Sequence, residues 1–135
     1  MRRVLTAAGM VSAIAFVSVC AHFLLIEAGR EVVTLRTESA DGTWQETRLW
    51  VVDYKGDVWL HSAGTEWHNR FEGGSRVELD RNGLTERYEA IPDPSKHPEI
   101  DAELRAKYGV ADRWVRLLAP CDETVLPVRL RKQGI

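Results

Sequence analysis

Residues 47–71, TRLWVVDYKGDVWLHSAGTEWHNRF, decide how the chain is read. Two apolar runs, Leu49-Trp50-Val51-Val52 and Val58-Trp59-Leu60, flank Tyr54-Lys55-Gly56-Asp57. A Lys-Gly-Asp core between such runs is the turn chemistry of two paired antiparallel strands, since glycine enters the left-handed backbone region that a tight hairpin demands. Behind the hairpin, Ser62-Ala63-Gly64-Thr65 is small and flexible, and Trp67, His68 and Arg70 follow at once. Backbone closed off by an aromatic ring and a guanidinium describes a groove.

The same reading extends in both directions. Residues 31–37 (EVVTLRT) are β-branched and extended, and Asp41-Gly42 marks a tight turn into a second strand over residues 43–52. Alternation puts Trp44, Glu46, Arg48 and Trp50 on one face of that strand and Gln45, Thr47, Leu49 and Val51 on the other, which points to the core. The third strand is 58–62. Residues 66–71 form a turn of helix that Gly73-Gly74 breaks. Residues 75–80 and 84–91 make a further hairpin around Asn82-Gly83, with one wet face.

Pro92-Asp93-Pro94 ends the run of strands, and His97-Pro98-Glu99 opens a helix with proline in its first turn. Its apolar stripe is Ile100, Leu104 and Tyr108, and Gly109 stops it. A second short helix runs from Asp112, its N-cap, to Leu118, burying Trp114, Leu117 and Leu118. A last strand over 124–130 carries Pro127, which argues for an edge or a bulge. The fold class is therefore mainly β (α+β), a six-stranded antiparallel barrel with two short helices.

Residues 4–26 contain no Asp, Glu, Lys or Arg. A helix of that length reaches across a hydrocarbon core of about 30 Å. The expectation is one N-terminal transmembrane helix, residues 1–27 as an anchor or uncleaved signal, before a domain over residues 28–135. Arg2 and Arg3 ahead of the span place the domain on the far side, the periplasm of a bacterium.

Composition excludes several classes. At 135 residues with a net charge of −2 and interspersed acids and bases, no basic stripe marks a nucleic-acid binder. The two cysteines, Cys20 and Cys121, supply neither a disulfide framework nor a zinc cluster in the barrel. Ser62 lacks a Gly-x-Ser-x-Gly elbow, and the histidines lack paired metal-ligand spacing, so no metal is expected.

Leu35-Arg36-Thr37, Gly42, Thr47-Arg48-Leu49-Trp50, His61-Ser62-Ala63 and Trp67-His68-Asn69-Arg70-Phe71 resemble the flavin-reductase-type split β-barrel superfamily. The likeness is to its small deazaflavin-dependent nitroreductase-like and pyridoxamine phosphate oxidase-like proteins. Lys107-Tyr108-Gly109 and Leu126-Pro127-Val128-Arg129-Leu130 extend it over most of residues 31–131. The resemblance implies FMN or deazaflavin (coenzyme F420) as cofactor, its ring along the second and third strands. It implies an oxidoreductase reducing a small quinone-like or nitro acceptor.

By matching position, Thr47, Arg48 and Leu49 meet the ring or phosphate, and Ser62, Ala63, Trp67 and Arg70 complete the pocket. No catalytic side chain is required, because the cofactor carries the chemistry. A homodimer or a subunit of a membrane complex is the expected assembly. The chain departs from the family pattern where Arg48 replaces a proline and where the first turn lacks a basic residue. The rival reading is thus a cofactor-free ligand-binding or accessory subunit. For Arg48 and Arg70 the plain alternatives are solvated side chains or ion pairs with Glu46 or Glu72, and for Trp67 a core or interface anchor.

Overall fold

The computed structural model describes residues 2–26, 30–39, 41–62, 70–71, 75–118 and 125–134, without the side chains of residues 2–7, 25 and 26. The chain divides into two compact units, Met1–Arg30 and Glu31–Ile135. The first holds helix α1, Arg2–Ile26. Among the described residues no helix is long and apolar enough to cross a membrane. The expected transmembrane anchor, with a single-pass membrane localisation and a periplasmic domain, is overturned on that ground.

The second unit is an antiparallel sheet of seven described strands: β1 Val33–Glu38, β2 Trp44–Leu49, β3 Val52–Tyr54, β4 Asp57–Ser62, β5 Ser75–Arg81, β6 Leu84–Pro92 and β7 Leu126–Lys132. Their order is β2-β1-β5-β6-β7-β4-β3. The two ends of that order, β2 and β3, are consecutive in sequence and separated only by Trp50 and Val51. One kinked segment therefore borders both ends of the sheet, and the sheet curls into a barrel.

The expected count of six strands is corrected to seven at this kink. The sequence reads residues 43–52 as one strand because its alternation is continuous. The barrel breaks it because β2 must pair with β1 and β3 with β4.

Local chemistry sets the hairpins. Lys55 and Gly56 both have positive φ, 52° and 87°, and link Tyr54 to its partner Asp57 in a two-residue turn. Along β5, Val77 and Leu79 turn inward while Arg76, Glu78 and Asp80 face out, as alternation requires. The inward set, with Val33, Leu35, Val58, Leu60, Tyr88, Val128 and Leu130 among others, fills the barrel, and Phe71 enters it fully buried. Each large apolar side chain so buried contributes roughly 1.5–3 kcal/mol.

Helix α2, His97–Tyr108, follows a 3-10 turn at Pro94–Lys96 and packs outside the barrel. Its stripe of Ile100, Leu104 and Tyr108 covers Val52 and Trp59. Helix α3, Val110–Leu118, does not bury the expected face: Leu117 is 75% exposed and Leu118 60%, while Ala111 and Asp112 are buried. The reason is electrostatic. Asp112 is an interior residue of the helix, and it pairs with Arg116, whose Nη2 also donates to Asp101 of α2 at 2.6 Å. That pairing turns the charged face inward.

Pro127 lies in β7, which is no edge strand, since it sits between β6 and β4. It is tolerated because β6 ends at Pro92, paired with Val128, so no ladder partner awaits a Pro127 N–H. The Pro127 carbonyl accepts instead from Asp93 N–H at 2.9 Å, beyond the strand end.

Candidate functional site

The candidate site is the split in the barrel wall. In the β3–β4 ladder Val52 opposes Trp59 and Tyr54 opposes Asp57, so the same register continued backward would set Leu49 against Ser62. The chain does not continue that way. At Leu49 it pairs with Val33 of β1, and Ser62 pairs with Leu126 of β7. The edges of β2 and of the last residues of β4 thus separate from the Trp50–Val51 kink outward.

The kink is fastened from outside. Val51 is fully buried, and having left the ladder it needs partners for its backbone groups. The Tyr108 hydroxyl accepts from Val51 N–H at 3.2 Å and stands 2.7 Å from the Glu31 carbonyl and 3.1 Å from that of Val51, to one of which it donates. Lys107 Nζ donates to the Val51 carbonyl at 2.7 Å and to Glu31 Oε1 at 2.6 Å. Trp50 stacks on Tyr108 with ring centres 4.4 Å apart and planes 8° from parallel. Burial pushes the Tyr108 hydroxyl up to about 12, so it stays protonated at neutral pH.

Arg81 completes the clamp. Its guanidinium donates two bonds to Glu31, both at 2.9 Å, and two to Asp53, at 2.8 and 2.7 Å. Bidentate pairing of this kind fixes geometry as well as charge. Burial pushes the Glu31 carboxyl up, but hydrogen bonds from Arg81 and then Lys107 outweigh it and hold the group below the usual glutamate range.

The seven residues expected at the site divide between faces. Thr47 and Leu49 turn inward opposite Leu35 and Val33, and Leu49 packs against the core. Arg48 lies opposite Thr34 on the outer face and is exposed. Ser62 is buried, and its hydroxyl donates to the Leu126 carbonyl at 3.1 Å. Arg70 is helical and half-buried, and its carbonyl accepts from the Ser75 hydroxyl. Ala63 and Trp67 lie outside the described residues, as does His68. Thr47, Arg48, Leu49 and Ser62 flank the split without sharing one face.

A shelf formed by the faces of the two tryptophan-bearing strands is not available. Trp59 is 4% exposed, with the Arg129 guanidinium 5.9 Å from its ring centre and α2 packed on it. Trp50 is covered by Tyr108. The Ile100, Leu104 and Tyr108 stripe was legible in the sequence, but nothing local told which strands it covers.

A feature the sequence reading did not single out is the stacking of His61 on His97, with ring centres 5.2 Å apart. Burial first, and the charge of His97 second, push His61 down to about 4. Its Nε2 is enclosed. Among the described residues no group of three His, Cys, Asp or Glu side chains is arranged to hold a metal.

Several solved structures share this fold. The heme storage protein HutZ from Vibrio cholerae superposes with a TM-score of 0.59 at 13% identity, over 79% of this chain and 84% of that one. A conserved hypothetical protein from Mycobacterium tuberculosis gives 0.55 at 16%, over 87% and 80%. A heme binding protein from Mycobacterium smegmatis gives 0.50 at 15%, over 83% of this chain and 50% of that one. The fold is a split barrel. No protein-family profile matches the chain, and no curated protein does.

Proposed function

We propose that the chain is a ligand-binding split barrel whose ligand is a flavin or deazaflavin held in the split, and that the loaded protein reduces a small quinone-like or nitro acceptor. One observation carries this reading: the ladder divides at Trp50–Val51, leaving the outer edge of β2 without a strand among the described residues. Unpaired backbone N–H and C=O groups can hydrogen-bond the edge of a planar ring without any special side chain. Thr47 and Arg48, on that edge, offer a hydroxyl and a guanidinium for the ring and the phosphate tail. The cofactor supplies hydride or electron transfer, and the chain supplies position and exclusion of water. A second copy of the chain would close the open side of the split.

Haem fits less well. Two of the similar structures are named for haem, but in this chain the described imidazoles of the barrel, His61 and His97, face each other with Nε2 of His61 enclosed. A ligating nitrogen must be reachable by the metal. The rival, a cofactor-free accessory subunit of a larger assembly, is favoured by the sealing of the tryptophan faces under α2.

Gel filtration after incubation with FMN, with a deazaflavin and with haemin tests the choice. Co-elution of a flavin absorption band, weakened about tenfold by Arg48→Ala, is expected for one lost charge-assisted contact. Retention of haem alone would replace flavin in this reading, and retention of none would leave the accessory subunit.

A further inference from the structure

The outer faces of β2, β1, β5 and β6 carry two adjacent cross-strand rows. In one, Glu46, Arg36, Glu78 and Arg87 stand opposite one another in register. Their charges satisfy each other: Arg36 Nη1 donates to Glu78 at 2.9 Å, Arg36 Nε lies 3.2 Å from Glu46, and Arg87 Nε lies 3.7 Å from Glu78. The next row is Trp44, Glu38, Arg76 and Glu89. Glu38 and Arg76 are neighbours by the register that pairs Thr37 with Val77. Yet no side-chain hydrogen bond or ion pair joins either of them to another described residue.

The second row borders a groove. Two hollows of about 280 and 350 Å³ share Glu38 and Arg76, with Trp44 lining the first and Ser75 the second. Their size is at the lower end of small-molecule sites, which run from about 300 Å³ upward. Trp44 is 43% exposed. Strands about 4.8 Å apart set the groups in the order aromatic ring, carboxylate, guanidinium, each one strand from the next.

We infer that this groove is a ligand site separate from the split, and that it takes a small zwitterion with a flat apolar body, of the class of an aromatic amino acid. The body packs against Trp44 beside the Arg36 guanidinium, whose carbon stands 5.4 Å from that ring's centre, the ammonium meets Glu38 and the carboxylate meets Arg76. Glu38 and Arg76 line both hollows on neighbouring strands, so a ligand bearing both signs meets the two together.

Calorimetry on the full chain with phenylalanine, phenethylamine and 3-phenylpropionate tests the assignment. Phenylalanine is expected to bind saturably, and each analogue about tenfold more weakly for the one charge-assisted contact it lacks. Glu38→Gln should weaken phenylalanine and phenethylamine but not phenylpropionate. Arg76→Gln should weaken phenylalanine and phenylpropionate but not phenethylamine. Both side chains are exposed, so the substitutions leave the fold intact, as an unchanged unfolding midpoint would verify. Absence of saturable binding, equal binding of all three compounds, or variants that bind like the parent would overturn the site. Arg48→Ala, at the split, should leave phenylalanine binding unchanged, so the two sites fail independently.

Discussion

Replacing Tyr108 by phenylalanine removes one oxygen and keeps the ring that stacks on Trp50. The loss falls on Val51 N–H, whose bond to that oxygen is 3.2 Å long and whose residue is fully buried. The Val51 carbonyl keeps Lys107 at 2.7 Å, so a single donor is stranded. A buried donor left unmade costs about 1–3 kcal/mol, and the lost donation to the Glu31 carbonyl adds to the upper half of that range. We expect destabilisation of about 2 kcal/mol, measured by urea unfolding with an unchanged slope. For a domain near 100 residues this lowers Tm by roughly 10 °C. Tyr54→Phe is the control, because no hydrogen bond of that hydroxyl is found among the described residues. A Tyr108→Phe cost below about 0.5 kcal/mol, or one matched by the control, would refute the claim that Tyr108 fastens the strand break.

The Arg81 clamp predicts a pH signature. Arg81→Met should cost about 1.5–3 kcal/mol near neutrality, the range for hydrogen bonds to charged groups. Because the folded Glu31 carboxyl lies below its usual value of 4.5, its contribution is present above that pH and is lost as pH falls through the lower folded value. Parent and variant should therefore converge in urea titrations carried into acid, and a gap that persists there would count against the clamp. His61 acts in the same sense, over a higher pH window. The unfolded chain takes up its proton near 6.5 and the folded chain only near 4, so stability falls as pH drops between those values. His97, Asp101, Arg116 and Asp112 all face this imidazole electrostatically, and none of them is altered by His61→Gln. The variant should show a flatter stability profile across that window, and an unchanged slope would refute the assignment.

Much of this architecture was legible in the residues. Lys55-Gly56 and Asn82-Gly83 specify their turns through backbone conformations that only neighbours in sequence influence, and alternation in 75–80 names the inward face without knowing the partner strand. The helix 97–108 and its stripe follow from spacing alone. The break at Trp50–Val51 did not announce itself, because the two halves of that segment alternate alike and only their different partners, β1 and β4, pull them apart. The same holds for Pro127, which reads as an edge residue until the end of β6 is seen to spare it a hydrogen bond.

The sequence by itself put Thr47 to Leu49 on one strand and Ser62 on another. Tertiary structure alone decided that Tyr108, Lys107 and Arg81 lock the strand break and that α2 seals the tryptophan faces. Turn and face are properties of a few consecutive residues. Which strand meets which is settled by groups more than fifty positions apart, as Val51 and Tyr108 are, competing for the same buried hydrogen bonds.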